Sequence, residues 1–158
     1  MLPSNTQEKV MNRIIATTLL PAVLATSVAF AANSPKEEAN KKLVTEFYER
    51  VLNQKDLDAI DRYVGPYKQH NPMAADGAEG LKGYIAYLRK NAPQSHSEIR
   101  KVFAEGDYVI LHVHAVPAPG AKGMAIVDIF KVEQGKLVEH WDVIQEIPEK
   151  PANGNGMF

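Results

Sequence analysis

The segment VDIFKVEQGKLVEHWDVIQEIP, residues 127–148, decides the fold of this 158-residue chain. Apolar and polar residues alternate on both sides of its Glu-Gln-Gly-Lys centre, a pattern typical of two antiparallel strands joined by a tight turn. The same period of two continues toward the N-terminus. The chain is therefore predicted to end in a meander of four strands, at 97–104, 108–116, 124–132 and 137–147.

The residues before the strands have a helical period instead. Ser34-Pro35 favours the start of a first helix, because serine caps free backbone amides and proline suits the first turn. Leu43, Phe47 and Val51 then recur at four-residue spacing. This spacing predicts a helix with one buried face.

Two more helices are predicted before the meander. Asp56 is expected to cap a short second helix, which Gly65-Pro66 ends. After a short extended segment at 67–72, apolar residues at 81, 84, 85 and 88 predict a third helix that stops before Pro93. Helices followed by a meander define an α+β fold, in which three N-terminal helices cover one face of a curved antiparallel sheet.

The composition excludes several classes of protein. The chain carries 18 Lys and Arg against 19 Asp and Glu, a net charge of -1, so no global field attracts nucleic acid or an anionic membrane. Cysteine is absent, which excludes disulfides, thiolate nucleophiles and Cys-ligated metal sites. The phosphate-binding glycine motifs and the GxSxG elbow are absent too. A small molecule or another protein is therefore the expected partner, and the apolar pocket predicted below favours a small hydrophobic molecule.

The N-terminal residues have the features of a secretory signal. Arg13 precedes a nearly uncharged run at 14–30, which ends in Ala-Phe-Ala. This pattern predicts a signal peptide at 1–31, cleaved after Ala31, and hence an exported protein, periplasmic or secreted, without a stable membrane anchor. An uncleaved anchor is the alternative, but Pro21 interrupts the run and its length is marginal for a bilayer. Residues 1–10 look like a start-site artefact before Met11.

The remaining chain is expected to form one domain at 36–150 and a tail at 151–158. A domain of this size can bury one real core, and it leaves no room for a second domain. The tail is irregular but ends in Met157-Phe158. It is expected either to fold back over an apolar opening or to stay in solvent.

Asp128 interrupts an otherwise apolar face of the third predicted strand. If that face lines a pocket, burial favours the protonated carboxyl, and a nearby imidazole can share the proton. If the preceding hairpin is centred near position 120, His112 lies opposite Asp128 and His114 lies opposite Ile126. This arrangement suits general acid/base chemistry, while a buried aspartate with purely structural partners is the alternative interpretation.

The final strand carries His140-Trp141, and its register is open. A two-residue turn at Gln134-Gly135 places Trp141 opposite Asp128, whereas a three-residue turn with a bulge places His140 there. Whichever residue does not face the pocket is expected on the outer face of the sheet. That face is predicted to pack against a second subunit.

The histidines also raise the question of a metal site. His70 lies in a proline-restricted segment between elements, where it could hydrogen-bond a ligand carbonyl or simply lie at the surface. Together with His112, His114 and His140 it offers enough ligands for zinc or iron. No specific metal-binding pattern is present, however. The sequence therefore predicts no metal and no cofactor.

Two motifs resemble those of a known family: QHNP at 69–72, and D-I-F-x-x-x-x-G-K-x-x-E-H-W-D-V-x-Q at 128–145. Both resemble the SnoaL-like polyketide cyclase group of the nuclear-transport-factor-2-like superfamily, and the resemblance covers about residues 36–158. It implies a conical, cystatin-like α+β barrel with a deep apolar cavity, usually dimeric through the outer face of the sheet. In such cyclases an aspartate on a central strand is the acid/base of an intramolecular aldol closure. Asp128 matches that aspartate by strand position, and His112 and His114 match neighbouring positions.

The resulting hypothesis is a cofactor-independent, homodimeric enzyme that moves a proton next to a carbonyl group, as an aldol-type cyclase or an isomerase. Asp128, His112 and His114 are the candidate catalytic residues. The candidate substrate-binding residues are Tyr67, His70, Phe130, His140 and Trp141. Two other classes stay open: a carrier that binds a hydrophobic molecule without changing it, and a dimeric interaction module whose cavity is closed.

Overall fold

The computed structural model describes residues 32–158, and the predicted signal peptide at 1–31 lies outside the described residues. The predicted α+β class is confirmed, with helices packed on one face of a single sheet. Between residues 32 and 158, no helix is both long and apolar enough to cross a membrane. The elements, in chain order, are α1 (Pro35–Phe47), a π-helical segment (Tyr48–Asn53), α2 (Ile60–Tyr63), β1 (Val64–Gln69), α3 (Gly77–Asn91), β2 (His96–Glu105), β3 (Tyr108–Val116), β4 (Met124–Glu133) and β5 (Lys136–Glu146).

The sheet has five strands in the order β1-β5-β4-β3-β2. Strands β2 to β5 form the predicted antiparallel meander, but β1 pairs in parallel with β5, so the sheet is mixed rather than purely antiparallel. Strands β1 and β2 are its two edges, and the sheet is therefore open and not a closed barrel. Gly65-Pro66 lies inside β1 instead of ending a helix. Proline is tolerated there because an edge strand has one unpaired side.

Helix α1 begins where the sequence predicts. The Ser34 hydroxyl accepts a hydrogen bond from the Glu37 amide, and the Glu37 carboxylate accepts one from the Ser34 amide at 2.7 Å. The π-helical segment that follows is shown by the Gln54 amide, which donates to the Glu49 carbonyl five residues earlier at 2.9 Å. A π-helical turn often lies at a functional site. Here it begins with Tyr48, whose side chain is buried.

The second and third helices differ in how well they match expectation. Helix α2 has only four residues, and Asp56 does not cap it but pairs with Arg50 at 2.6 Å. Helix α3 lies where it is predicted and ends at Asn91. At its start, the Asp76 carboxylate accepts a hydrogen bond from the Gln69 amide at 2.7 Å, which ties α3 to the end of β1.

The register between β3 and β4 differs by one residue from the prediction. Ala115 pairs with Met124, so Asp128 lies opposite Leu111 and not opposite His112. A one-residue shift moves every side chain of a strand to the other face of the sheet. His112 and His114 therefore lie on the face away from the helices, which we call the outer face; the face against the helices, with Leu111 and Asp128, is the inner face.

The register between β4 and β5 matches neither predicted alternative. The two-residue turn at Gln134-Gly135 is confirmed, since both residues have positive φ, 51° and 73°, as a type I′ turn requires. A bulge beyond the turn then adds one residue to β5: Lys131 pairs with Glu139, while Val132 pairs with Leu137. Asp128 consequently lies opposite Asp142, and Trp141 lies on the outer face.

The C-terminal tail folds back, but onto the outer face. The Phe158 ring lies 5.2 Å from the His112 ring and 4.8 Å from the His114 ring, between centroids. The Arg100 guanidinium lies 5.4 Å from the Phe158 ring centroid. The tail thus covers part of the outer face and leaves the inner face to the helices.

Candidate active site

A cavity of about 300 Å³ lies between the inner face and the helices. Met73, 91% exposed, and the half-exposed Tyr84 and Ile144 stand at its mouth. Most of the wall is apolar, including Phe47, Leu52, Leu81, Met124, Ile126 and Phe130. The polar lining groups are Tyr48, Tyr67, Gln69, Asn71, Tyr84, Ser97, Asp128, His140 and Asp142.

Asp128 lies at the buried end of these polar groups, with only 4% of its surface exposed. The Tyr48 hydroxyl donates a hydrogen bond to Asp128 Oδ2 at 2.6 Å. His140 Nε2 lies 3.0 Å from Asp128 Oδ1. Both carboxyl oxygens are therefore engaged by protein side chains, as a carboxylate removed from water requires.

The protonation of His140 follows from its second hydrogen bond. The Gln69 side-chain oxygen accepts a hydrogen bond from the Asn71 backbone N–H at 2.9 Å. The same oxygen lies 2.9 Å from His140 Nδ1. Since an amide oxygen only accepts, Nδ1 must carry a hydrogen. One proton then lies between His140 Nε2 and Asp128 Oδ1. The two residues form a pair that shares this proton, either as carboxylate with imidazolium or as two neutral groups.

Asp142 faces the cavity directly across from Asp128, and it is less buried. Its Oδ2 accepts a hydrogen bond from the Asn71 side-chain amide at 2.7 Å. The Asn71 oxygen in turn accepts from the Met73 amide at 2.7 Å, which fixes the direction of the Asn71 side chain. Within residues 32–158, nothing hydrogen-bonds Asp142 Oδ1. Asp142 therefore has one oxygen free to meet a ligand.

The phenols around the carboxylates are hydrogen-bond donors. Burial, reinforced by the charge of Asp128, raises the pKa of Tyr48 well above its usual value. Burial and the charges of Asp128 and Asp142 also raise the pKa of Tyr67 and of Tyr84. All three side chains keep their protons at neutral pH. The Tyr67 ring lies parallel to the His140 ring, with centroids 6.3 Å apart.

The structure divides the predicted site residues between the two faces. Asp128, Tyr67, Phe130 and His140 line the cavity. His112 and His114 lie on the outer face against Phe158, so the predicted pairing of His112 with Asp128 is wrong. The one-residue register difference is the physical reason.

His70 and Trp141 also lie away from the cavity. Their rings stack with centroids 4.5 Å apart and planes 3° apart, and His70 Nε2 lies 2.7 Å from Glu139 Oε1. Trp141 is on the outer face because the bulge in β5 turns it there. Neither residue is among the side chains that line the cavity.

Four residues of the hydrogen-bond network around Asp128 and Asp142 are not among the candidates predicted from the sequence: Tyr48, Gln69, Asn71 and Asp142. Asp142 had a signal, because residues two apart on a strand share a face and His140 was already a candidate. Gln69 and Asn71 flank His70 in an extended segment, where successive side chains point to opposite sides. If His70 points away from the cavity, Gln69 and Asn71 are expected to point into it. Tyr48 widens the apolar stripe of the first helix, but no sequence pattern indicates its contact with Asp128, since its direction depends on the π-helical segment.

One group of side chains has a spacing compatible with a metal ion. Asp128, His140 and Asp142 offer ligand atoms that all lie within 4.8 Å of one another. His140 Nε2 and Asp128 Oδ1 already hydrogen-bond each other, and an ion held by these two atoms would have to displace that bond. Among residues 32–158, the four histidines weighed from the sequence do not converge, since only His140 belongs to this group.

Comparison with known proteins agrees with this fold. A candidate SnoaL-like polyketide cyclase from Jannaschia sp. CCS1 superposes with a TM-score of 0.61 at 21% identity, covering 72% of this chain and 90% of that chain. A candidate polyketide cyclase from Bacillus cereus ATCC 10987 gives 0.62 at 24% identity, covering 71% and 78%. TsrD from Streptomyces laurentii gives 0.58 at 23% identity, covering 68% and 88%.

At these identities the structural neighbours show the fold and no more. Curated proteins include no match to this chain. The family model of the SnoaL-like polyketide cyclase matches residues 42–150, which is most of the sequence. The chain, with its nuclear-transport-factor-2-like α+β fold, therefore belongs to the SnoaL-like polyketide cyclase family.

Proposed function

We propose that this chain is an acid/base enzyme that moves a proton at the carbon next to a carbonyl group, in a small hydrophobic compound. The observation that carries the proposal is Asp142, a carboxylate with one free oxygen inside a mostly apolar cavity. A general base needs a free lone pair within reach of the proton that it removes. The reaction is an aldol-type cyclisation or an isomerisation.

Asp142 suits the role of base better than Asp128. Both Asp128 oxygens are engaged by Tyr48 and His140, and the residue is 4% exposed. Asp142 Oδ1 has no such partner among the described residues, and the side chain is only partly buried. The family resemblance supports an aspartate in this chemistry, and the geometry favours Asp142 among the two.

The proposed reaction conserves atoms and charge. Asp142 takes a proton from the carbon, the C–H bond pair forms a C=C bond with the carbonyl carbon, the π pair of the C=O bond moves to its oxygen, and an enolate forms. In an isomerisation the protonated Asp142 returns the proton to a different carbon. In an aldol closure the enolate carbon bonds to a second carbonyl carbon, and Asp142 gives its proton to the new alkoxide. No cofactor takes part in either route.

The pair of Asp128 and His140 acts through Asp142. Its shared proton lies on His140 or Asp128. One side-chain nitrogen or oxygen atom from each of Asp128, His140 and Asp142 lies within 4.8 Å of the other two. In its imidazolium form His140 stabilises the charge on Asp142, and Asp128 with Gln69 holds the ring in place. His140 is thus a positioning residue for the base.

Deuterium exchange into 2-tetralone in D₂O, followed by proton NMR, tests this function. This two-ring ketone has acidic protons next to its carbonyl. The wild-type protein should accelerate their exchange, and Asp142→Asn should lower the rate by a factor of about 10² or more, the usual contribution of a positioned base. Asp58→Asn, at an exposed position, is the matched control and should behave as wild type.

The outcomes separate the candidate functions. Full activity in Asp142→Asn, together with loss in Asp128→Asn, would return the role of base to Asp128. Binding of the ketone without any accelerated exchange would favour a carrier. His140→Gln should shift the pH profile of the exchange rate, which a purely structural residue would leave in place.

We also propose export, with cleavage after Ala31. The support lies in the sequence: Arg13, the apolar run at 14–30 and its Ala-Phe-Ala end. Intact-mass measurement of protein recovered from the periplasm or the medium tests this directly. A mature chain should begin at Ala32, and a mass that retains the first 31 residues would contradict cleavage.

A homodimer through the outer face is the proposed assembly. Large side chains on that face are exposed, among them Phe103 at 56%, Val127 at 40% and Val143 at 70%. Exposed apolar surface on a sheet face favours association, because burial removes it from water. The family resemblance supports a second copy of this chain as the occupant.

A further inference from the structure

The cavity contains one buried hydrogen-bond donor without an acceptor. Tyr67 is 6% exposed, yet its hydroxyl proton has no acceptor among residues 32–158. Every fully enclosed polar side-chain atom in this range does have a partner. The Tyr67 oxygen must therefore border the open cavity that the residue lines. A donor at the wall of a cavity needs an acceptor there, and a ligand that displaces water from the cavity must supply one to avoid a desolvation cost.

The neighbours of Tyr67 leave its proton available to the cavity. The Gln69 oxygen already accepts from the Asn71 backbone amide and from His140 Nδ1, so it is not free to accept the Tyr67 proton. An acceptor inside the cavity that Tyr67 lines can therefore take this hydrogen bond. The hydrogen also persists, because burial and the two nearby carboxylates raise the pKa of Tyr67.

The charges around the cavity select against anions. Asp128 and Asp142 contribute two carboxyl groups, and His140 contributes one imidazole. Among the described residues, no lysine or arginine lines the cavity. A carboxylate or phosphate on a ligand would be desolvated beside like charges with no cation to pair with. An uncharged carbonyl oxygen, in contrast, needs only a single donor.

The volume of the cavity limits the size of the ligand. At about 300 Å³, the cavity is at the lower end of the ~300–1,000 Å³ range of small-molecule sites. One ring or two fused rings fit in this space. A system of four fused rings would have to extend past Met73 and Tyr84 into solvent, and so lose the burial that drives its binding.

We propose that the cavity binds an uncharged ketone or aldehyde of one or two fused rings, and that Tyr67 donates a hydrogen bond to its carbonyl oxygen. This inference rests on the proposed function, and it names the substrate class and the group that meets the oxygen. When Asp142 removes the neighbouring proton, negative charge grows on that oxygen. The bond from Tyr67 strengthens accordingly, and Tyr67 keeps its proton throughout.

Calorimetric titration of the mature chain at pH 7 tests the proposal with two ligands of the same skeleton. 2-Tetralone carries a carbonyl group, and 1,2,3,4-tetrahydro-2-naphthoate carries a carboxylate. The ketone should bind, and the carboxylate should bind at least ~10-fold more weakly. Tyr67→Phe, which removes only the hydroxyl, should weaken ketone binding about 10-fold. Tyr87→Phe, at an exposed position on α3, should bind as wild type.

A second measurement does not depend on any variant. The C=O stretching frequency of 2-tetralone bound to wild type should be lower than in an aprotic solvent, because a hydrogen bond weakens the C=O bond. Unchanged ketone affinity in Tyr67→Phe, equal affinity for the carboxylate, or an unshifted stretch would each overturn the proposal.

The two proposals fail in different ways. If the ketone binds through Tyr67 but the wild-type protein does not accelerate deuterium exchange, the acid/base function is wrong and the binding inference stands. If exchange depends on Asp142 while Tyr67→Phe keeps both full affinity and the full exchange rate, the function stands. The assignment of Tyr67 is then overturned.

Discussion

At the scale of single residues, the site is defined by hydrogen bonds that fix where protons lie. The Asn71 amide fixes the Gln69 oxygen, and that oxygen fixes the protonated nitrogen of His140. The remaining proton is shared with Asp128, whose other oxygen is satisfied by Tyr48. A polar network of this kind is stable only when every member has its partner.

Removal of the Tyr48 hydroxyl should therefore destabilise the fold. In Tyr48→Phe the buried Asp128 loses a donor at 2.6 Å, and we expect the free energy of unfolding to fall by about 1–3 kcal/mol, the cost of leaving a buried acceptor unsatisfied. Urea denaturation at pH 7 measures the change. Tyr87→Phe, an exposed control, should stay within ~0.5 kcal/mol of wild type. Equal losses in both variants would contradict the role of Tyr48.

The buried phenols should also make stability depend on alkaline pH. The folded state raises the pKa of Tyr48 and of Tyr67 through burial and the nearby carboxylates. Below the unfolded pKa of about 10 this contribution is fully present, and above it the unfolded chain loses protons that the folded chain keeps.

The free energy of unfolding should thus fall above pH 10, by up to ~1.4 kcal/mol per pH unit for each buried phenol. Urea titrations between pH 9 and pH 11 measure this slope. In Tyr48→Phe the fall of the unfolding free energy with pH should be shallower than in wild type, by up to ~1.4 kcal/mol per pH unit, because one buried phenol is removed. An identical slope in the two proteins would show that Tyr48 ionises as readily in the folded chain as in the unfolded one.

At the scale of elements, two hairpins decide which side chains meet. The turn at Gln134-Gly135 is the one that the sequence predicts, but the bulge beyond it puts Asp142 opposite Asp128. In the other hairpin, Gly123 adopts φ +76°, and a Cβ at this position would overlap the carbonyl oxygen of Ala115. Ala115 and the residue after Gly123 both line the cavity. This close approach helps set the register of β3 and β4.

Replacement of Gly123 should disturb this hairpin more than replacement of a comparable glycine. Gly123→Ala combines an unfavourable positive φ with a steric overlap, whereas Gly120→Ala has φ +83° with open space around the added methyl group. We expect Gly120→Ala to cost ~1–2 kcal/mol in unfolding free energy, and Gly123→Ala to cost more. Thermal and urea denaturation of the two variants give the comparison. Equal costs would mean that the loop relaxes freely around position 123.

At the scale of the whole molecule, the two faces of the sheet differ in role. The inner face and the helices enclose the cavity, whereas the outer face presents exposed apolar side chains and the Trp141 and His70 stack. The two faces share strands, so each strand contributes alternately to both. This division should let the proposed assembly and the proposed chemistry be changed independently by substitution.

The proposed dimer provides the test of that independence. The double variant Val127→Lys with Val143→Lys places charge on the outer face and should give a monomer by sedimentation velocity, while deuterium exchange into 2-tetralone persists. Tyr87→Lys, on the exposed surface of α3, is the control and should leave the assembly unchanged. A wild-type chain that sediments as a monomer would contradict the proposed assembly.

The sequence predicts that Asp128 belongs to the site, but it does not predict which side chains surround Asp128. Asp128 can be predicted from the sequence because a carboxylate that interrupts an apolar strand face is a local pattern. The predicted pairing of His112 with Asp128 is wrong because it assumes a hairpin centred at position 120, and the centre in the structure lies half a residue earlier. The hydrogen bond between Tyr48 and Asp128 cannot be predicted in this way, because the two residues are 80 positions apart in the sequence. A periodic pattern gives no information on contacts between such distant segments.

The sequence by itself determined the α+β class, the start of α1, the place of α3 and the four strands of the meander, within a residue or two. Those features follow from local periodicity, capping and turn residues, and each is read within a short window. The registers, the parallel pairing of β1 and the partners of Asp128 were decided only by the tertiary structure. A bulge or one loop residue changes which face a side chain occupies, and the energy that selects it comes from packing between distant segments.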